Sequence, residues 1–484
     1  ENNSVIDLQD GSLNNLINFI QNNGSILKIN VQTNLSQIAR LNAVHIELNS
    51  GASIQFFGDT SSFAVGNRYT NYIGQASSSI DVNDANIFSD NPGSIDVKNW
   101  FLNEDELYVI FDRRSLTNQS FGFNVPRGSQ SEKILSEIDS FQTDEASRMA
   151  DVIFSDTYSL DDLNKVYSRT IALPRAVSHQ RNGMLRTISE RASERRISLA
   201  YFKKPSGVGG PIAKQSGMAI WSKGYSANGN SSGDNNTEGY DLSGLGTIFG
   251  LDYASEKYVA GIAAGIFNQT MKMDLSGDYT GSGTHFTGYF SYGRNSWFLE
   301  TCATLANSSL DFNSDGAFDV KTSYSANDFT FYLGGGYIIK NPRGSWTPEI
   351  GFILNNYVQD MAEDVSQTIV PTKLNNLSNS SLQMRLGLIG GFKQDLIGRE
   401  LLTQLKLRWM NSIGVSEEEI DYSLSGGNNV YKTPMLTGAK SIVEFGVGTQ
   451  LRMNRSLSLL MGFDYEFGGG YSANRLSAGL RYSF

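Results

Sequence analysis

The sequence has no long apolar run and almost no cysteine. A helix that crosses a membrane needs about 20 consecutive apolar residues, and nothing close to that length occurs in the 484 residues. Cys302 stands alone, which excludes an intramolecular disulfide and a cysteine-based metal centre. The three histidines, His45, His179 and His285, are too scattered to indicate a metal cluster. A net charge of −10 argues against nucleic acid as a partner, since such proteins usually carry a basic excess.

Glycine and aromatic residues are abundant, with 49 Gly, 22 Tyr and 27 Phe, while proline is rare. This composition favours many β-strands joined by turns. From Gly217 onward, segments alternate apolar with polar or small residues over the length that a lipid-crossing strand requires. There are twelve of them: 217–226, 240–253, 257–272, 283–293, 296–310, 323–339, 346–359, 381–394, 400–412, 440–452, 456–467 and 471–484.

The connections between these segments alternate in length. Tight turns such as Asn454-Arg455 alternate with long polar connections such as 360–380 and 414–439, and only 468–470 is short where a long one is expected. Outer-membrane barrels show this asymmetry, with short periplasmic turns and longer outer loops. The sequence therefore predicts a twelve-stranded antiparallel transmembrane β-barrel over 206–484; a soluble all-β protein is the alternative.

Aromatic residues lie near the ends of many predicted strands, and amphipathic rings prefer the two membrane interfaces. On this basis we expect interface girdles that include Trp221 and Tyr225 of the first strand and also Trp297, Trp346, Tyr357 and Trp409. The last strand places its apolar residues on one face and ends on an aromatic ring. Its outward residues are Leu476, Ala478, Leu480, Tyr482 and Phe484.

Helical periodicity precedes the barrel, beginning at Pro174, a residue that suits a first helical turn. Residues 175–204 carry a net charge of +6, whereas 206–484 carry −5. A basic helix next to an acidic barrel indicates a plug in the lumen; a helix on the protein or membrane surface is the alternative. The candidate pore-facing residues are Arg175, Arg181, Asn182, Arg186, Arg191, Arg195 and Arg196.

The N-terminal part is β-rich. Short alternating runs separated by Asn, Gly, Ser and Asp recur over 1–125, which suits either a β-solenoid or a small sandwich. Residues 130–139 predict a helix.

Asp311, Asn313 and Asp315 match the opening of a calcium loop. Because Thr322 occupies the position that requires a bidentate glutamate, an Asp/Asn/Gly turn is the better interpretation, and we expect no bound metal.

The combined pattern resembles the monomeric, or type Va, autotransporters over residues 144–484. The resemblance rests on the first strand Gly217-Met-Ala-Ile-Trp221-Ser-Lys-Gly-Tyr225, the ending Arg481-Tyr-Ser-Phe484 and the helical segment ahead of the barrel. It implies a β-rich, β-helix-like passenger or passenger stub (1–125), a helical pre-barrel segment (126–173), a linker helix in the pore (174–205) and a translocator barrel (206–484). A general porin with an N-terminal periplasmic domain is the rival interpretation.

The resemblance also implies where the protein works and what it contacts. We expect the barrel in the bacterial outer membrane, in contact with lipid and lipopolysaccharide, and the passenger at the cell surface, acting as adhesins of the family do. The final strand resembles the signal read by the barrel assembly machinery, and periplasmic chaperones are expected during biogenesis. An exported chain needs a leader, so we expect that the sequence beginning at Glu1 is processed or truncated. No cofactor and no enzymatic activity are expected. Some relatives cleave themselves by asparagine cyclisation, which makes Asn182 a candidate for self-cleavage, but a Gly183 that only loosens the helix is the better interpretation.

Overall fold

The structure is a computed structural model. It describes residues 5–7, 13–30, 41–57, 68–83, 85–89, 95–113 and 130–141, the single positions 146, 149 and 167, and 217–484 with breaks at 234–237, 256, 295, 315–318, 342–343, 367–368, 416–418, 435–439 and 455. No helix in these ranges is long and apolar enough to cross a membrane.

The N-terminal strands form two sheets built mainly from parallel pairs. The strands are β1 (Val5–Asp7), β2 (Leu13–Gln21), β3 (Ile26–Asn30), β4 (Leu41–Leu48), β5 (Ser53–Phe57), β6 (Arg68–Val82), β7 (Asn86–Ser89), β8 (Ile95–Asn103) and β9 (Glu106–Arg113). One sheet has the order β1-β3-β5-β7, and the other has the order β2-β4-β6-β9-β8. Pairs up to β6 and β7 are parallel, so successive coils stack, whereas β9 pairs antiparallel with β6 and with β8.

Apolar side chains fill the space inside these coils. Ile29, Ile46 and Leu48 are fully buried, because alternate residues of a strand point to one face and stacked strands align them. Gly51 has a φ of +80° in the turn that links β4 to β5. After this region, α1 (Gln130–Ser140) confirms the helix predicted over 130–139.

The C-terminal part is a closed twelve-stranded antiparallel barrel, as predicted. Its strands are β10 (Gly217–Ser231), β11 (Tyr240–Ala254), β12 (Tyr258–Met273), β13 (Gly277–Arg294), β14 (Trp297–Ser314), β15 (Val320–Tyr337), β17 (Gly344–Gln359), β21 (Leu377–Leu396), β22 (Arg399–Val415), β25 (Ser441–Arg452), β26 (Leu457–Gly468) and β27 (Tyr471–Ser483). The first strand pairs with the last, from Ala219 opposite Ser483 to Ser231 opposite Tyr471. No edge is left open in this wall.

Several strands continue beyond the predicted limits at the end with the long connections. The strand β13 begins at Gly277 rather than 283, and β21 begins at Leu377 rather than 381. The long connections are therefore shorter than predicted. Outside the lipid a strand needs no apolar outer face, so the alternation that was used to predict the strand limits stops before the strands end. Further short strands lie in these connections: β18 (Ala362–Glu363), β19 (Val365–Ser366), β20 (Thr372–Leu374), β23 (Glu419–Leu424) and β24 (Tyr431–Pro434). The short strand β16 (Ile339–Asn341) lies instead at the tight turn between β15 and β17.

The two faces of the wall differ in polarity. Large apolar side chains stand exposed on the outside, with Leu245, Phe249 and Ile266 between 60% and 64% exposed, as a surface in contact with lipid requires. Trp297, Trp346 and Trp409 share this outer face. The girdle interpretation is wrong for Trp221, Tyr225 and Tyr357, which point inward and are buried.

Candidate functional site

The inner face of the barrel wall carries a set of buried charged side chains. These residues alternate along their strands with outward apolar residues, so the lumen is lined by polar groups. They are Lys223, Asp252, Glu300, Asp328, Glu349, Arg385, Lys406, Arg408, Glu444, Asp464, Glu466, Arg475 and Arg481. A buried charge is tolerated only when it has a partner, and the geometry below shows how the wall supplies one.

Arg408 on β22 joins two carboxylates across four strands. Its Nε donates to Glu349 Oε1 on β17 at 2.7 Å, and its Nη1 donates to Glu444 Oε1 on β25 at 3.1 Å. Glu444 lies directly opposite Arg408, but Glu349 lies beyond the intervening strand β21. Gly387 occupies the position between them on β21. A Cβ there would lie 2.7 Å from Glu349 Oε1 and 3.1 Å from Arg408 Cγ, so the missing side chain gives the two charges room to meet.

A second cluster uses two glycines. Glu300 on β14 and Arg385 on β21 lie on either side of Gly334 and Gly351, which form a cross-strand pair between them. The ring of Tyr332 lies over these glycines, and Arg385 Cζ is 4.4 Å from its centroid. The Tyr332 hydroxyl donates to Glu300 Oε1 at 2.9 Å and accepts from Arg385. Arg385 is also 3.7 Å from oxygen atoms of Glu300 and Glu349, which connects this cluster to Arg408.

The third cluster continues around the wall toward the closing strands. Lys406 Nζ donates to Asp464 Oδ1 at 3.1 Å across Gly446 of β25, and a Cβ on that glycine would approach Asp464 Oδ1 to 2.3 Å. Arg475 on β27 lies opposite Asp464 and donates to its other oxygen. Both cations and the carboxylate are at most 4% exposed.

In the first strands of the barrel, a glycine again separates two hydrogen-bonded polar side chains, but neither of them is a cation. Tyr289 on β13 donates to Asp252 Oδ2 on β11 at 3.0 Å, with Gly261 of β12 between them. Trp221 Nε1 donates to the Tyr289 hydroxyl at 3.0 Å, and a Cβ on Gly250 would collide with its ring at 2.3 Å. This explains why Trp221 points inward: a buried indole N–H finds its partner on the inner face.

These clusters make the wall nearly self-neutral. Glu300, Glu349, Glu444 and Asp464 all have cationic partners on other strands of the wall. Sequence reasoning matched the acids of the barrel to the basic helix because the net count of −5 does not show how acids and bases alternate around the lumen. In the sequence, each of these contacts is marked by glycine on every strand that separates the two charged residues. That mark can be recognised only when the strand register is known. The arrangement provides a rigid, polar interior surface.

The end of the barrel with the long connections has a different character. Apolar side chains of the connections, the strand ends and the pre-barrel segment form one buried cluster there, and it includes Ile134, Ile138, Met149, Tyr422 and Tyr431. The sheet β18-β20-β23-β24, separate from the barrel wall, contributes to this cluster. The helix α1 contacts this sheet, so the pre-barrel chain lies against the mouth of the barrel.

All seven pore-helix candidates fall outside the described residues: Arg175, Arg181, Asn182, Arg186, Arg191, Arg195 and Arg196. The five residues of the final strand, from Leu476 to Phe484, share the outer face. Asp311 and Asn313 lie in the regular strand β14, where Asp311 Oδ1 accepts a hydrogen bond from Ser323 at 2.7 Å. The Asp/Asn/Gly turn expected over these two positions is thus wrong, and an extended strand does not wrap an ion as a calcium loop does; Asp315 is outside the described residues.

Comparison with known proteins gives one family and several similar folds. The autotransporter beta-domain family model matches residues 220–466. The translocator domain of the autotransporter NalP from Neisseria meningitidis is 13% identical with a TM-score of 0.51, covering 64% of this chain and 97% of that one. The beta domain of the Bordetella autotransporter BrkA is 20% identical (TM-score 0.43; 55% and 100% covered). The transport unit of AIDA-I from Escherichia coli is 16% identical (TM-score 0.42; 60% and 98% covered). No curated protein matches the chain.

Proposed function

The chain belongs to the autotransporter β-domain family, whose model matches half of the sequence, and from this membership we propose a path for the segment that precedes the barrel. The barrel is an outer-membrane translocator for its own N-terminal passenger. We infer that residues 168–216 pass through the lumen from the outer mouth to the periplasmic end, and that the passenger is held at the cell surface.

The observation that carries this proposal is the position of the two ends of that segment. Gly217 begins β10 opposite Ala254, beside the tight turn that follows β11, so the wall starts at the end with short turns. Tyr167 lies at the opposite end, where its hydroxyl donates to the carbonyl oxygen of Val370 at 3.0 Å. Short turns face the periplasm and long connections face outward in outer-membrane barrels.

A closed wall leaves one connection between these two ends. The outside of the barrel is apolar and faces lipid, where an unpaired backbone costs several kcal/mol for each polar group. Fifteen residues of β10 rise roughly 40 Å when the strand tilts by about 40°. A helix needs about 27 residues for that height, fewer than the segment contains. The charged residues of the wall and the basic residues of 175–204 support a hydrated passage.

Conductance tests the proposal directly. Single-channel currents in a planar bilayer would be compared between the full chain and a variant without residues 174–204. We expect a small current for the full chain and a clearly larger one after the deletion, because the deletion removes the segment that occupies the lumen. A large current through the full chain would contradict the proposed path and favour a porin with a periplasmic domain.

The passenger position has its own test. The stacked coils β1–β7 precede α1, which contacts the outer mouth, and this order supports a passenger outside the cell. Protease added to intact cells should digest the region around the exposed salt bridge of Arg68 with Asp112, while a periplasmic marker stays whole. Protection of this region in intact cells would contradict a surface position.

We propose that the final strand is the part recognised by the barrel assembly machinery. Phe484 is 68% exposed, and Leu476 and Leu480 share its outer face, so the residues that meet lipid are available to a partner before the barrel closes. Replacing Phe484→Ser should lower the amount of assembled barrel in cells while leaving refolding in pure lipid nearly unchanged. Equal losses in both assays would indicate a role in strand pairing alone.

Asn182 is a separate candidate, for self-cleavage. It is followed by Gly183, and a following residue without a side chain makes cyclisation sterically easy. Mass spectrometry of the membrane-bound chain would give a fragment beginning at residue 183 if the reaction occurs, and Asn182→Ala would abolish it. An intact chain in outer membranes would remove this candidate without affecting the translocator function.

A further inference from the structure

The helix α1 presents a buried carboxylate to the connection between β23 and β24. Glu137 is 7% exposed. Its Oε1 accepts hydrogen bonds from the backbone N–H groups of Asn428 and Asn429, both at 3.0 Å. Its Oε2 accepts from the Tyr431 hydroxyl at 2.7 Å. Three donors on one carboxylate give strong, directional bonds, because bonds to an ionised acceptor are about twice as strong as neutral ones.

The connection is shaped for this close approach. Gly426 has a φ of +81°, a conformation that side chains rarely adopt, and it turns the chain so that two successive N–H groups face the helix. The neighbouring Gly427 lies against the carboxylate. A Cβ on Gly427 would lie 2.6 Å from Glu137 Oε1 and 3.2 Å from the ring of Phe141. Any larger residue would push α1 away.

Two further contacts fix the helix along its length. Ile134, Leu135 and Ile138 are at most 3% exposed and join the apolar cluster of the mouth. At the N-terminal end, Gln130 Nε2 donates to the carbonyl oxygen of Lys432 at 2.8 Å. The helix therefore meets the sheet of the connections at both ends and through one apolar face.

We propose that the connection 426–431 is a docking site for α1, and that α1 bound there forms a closure of the outer mouth in addition to the segment in the lumen. Docking covers the mouth with a segment held by three hydrogen bonds and an apolar face. This inference rests on the orientation given under the proposed function.

The test compares three single variants of the full chain, refolded into lipid vesicles. Glu137→Ala removes the carboxylate. Gly427→Ala adds a methyl group in the space that the carboxylate occupies. Ser136→Ala is the matched control on the exposed face of α1. Heat-modifiable migration on gels confirms that each barrel is folded. The readouts are hydrogen exchange of the α1 amides and the rate of trypsin cleavage after Lys133, which is exposed.

We expect Glu137→Ala and Gly427→Ala to raise both rates about tenfold or more, since local opening sets both rates, with Ser136→Ala unchanged. In the background lacking residues 174–204, Glu137→Ala should raise the conductance further, because α1 no longer covers the mouth. Unchanged exchange in both docking variants would overturn the inference. Faster exchange without any added conductance would overturn the closure and leave only a structural contact. A large current through the unaltered full chain would contradict the proposed path of residues 168–216 through the lumen. Hydrogen exchange of the α1 amides would still measure the docking of α1 in that case.

Discussion

Gly387 offers the sharpest test of how the barrel wall holds its charges. The replacement Gly387→Ala adds a single methyl group between Glu349 and Arg408. That methyl would lie 2.7 Å from Glu349 Oε1 and 2.8 Å from its Cγ, well inside the ordinary contact distance. Both charged side chains are only 1% exposed, so neither can move into solvent. Glu349 would have to shift and lengthen its 2.7 Å contact with Arg408.

The expected magnitude combines three effects. Overpacking a tight interior costs about 1–3 kcal/mol, and weakening a hydrogen bond between charged groups adds up to about 1.5–3 kcal/mol. Replacing glycine by alanine returns about 0.4–1 kcal/mol by restricting the unfolded chain. We therefore expect the free energy of unfolding to fall by about 2–4 kcal/mol.

Gly288 on β13 is the matched control. It is also a strand glycine, but a Cβ added there would meet nothing within 4 Å. Gly288→Ala should leave the stability unchanged or raise it by about 0.4–1 kcal/mol. Urea unfolding in lipid vesicles, followed by tryptophan fluorescence and by heat-modifiable migration on gels, measures both variants under the same conditions. If Gly387→Ala is as stable as Gly288→Ala, the role given to the intervening glycine is wrong.

Three other changes test separate parts of the structure. Arg408→Met should lower the free energy of unfolding in lipid by about 3–5 kcal/mol, because it leaves buried carboxylates without their shared cation; a loss below about 1 kcal/mol would show that water replaces it. Ile397 has a φ of +55° beside Gly398 at +72° and is 95% exposed. Ile397→Asn should therefore stabilise the turn by about 0.5–1 kcal/mol in the same urea assay, and a destabilised variant would indicate that the isoleucine makes a contact. Burial, together with the hydrogen bond to Glu137, raises the pKa of Tyr431. Docking of α1 should then be strongest below the usual tyrosine pKa of about 10 and weaken as the pH rises above it, which hydrogen exchange on the α1 amides would detect; equal weakening in Tyr431→Phe would assign the effect to other groups.

The outer face of the barrel could be read from the sequence because lipid imposes it residue by residue. Leu476, Leu480 and Phe484 had to alternate with small or polar residues whatever the partner strands were, and the structure places them all outward. The aromatic residues show the limit of this reasoning. Trp221 and Trp297 both lie near a strand end, yet one points inward and the other outward. An interface prefers such rings, but the glycine opposite Trp221 and the hydroxyl of Tyr289 decide its direction.

The inner face could not be read in the same way. Glu349, Gly387 and Arg408 lie 38 and 21 residues apart in the chain, and nothing in their local sequence shows that they share one level of the wall. The predicted limits of β21 and β22 were short by several residues, so even a correct strand count did not fix the register. The position of α1 against residues 426–431 was likewise out of reach, since two separate connections must first fold against each other.

The amino-acid sequence by itself determined the class of the molecule: twelve membrane-crossing strands, their alternation of short and long connections, and a closing strand with an apolar outer face. Each of these follows from a local rule, because one strand must satisfy the lipid around it independently of the others. The tertiary structure alone decided which charges meet across a glycine and which helix lies in the mouth. Those contacts join residues distant in sequence, and their energies depend on register and burial, which exist only after the barrel has closed.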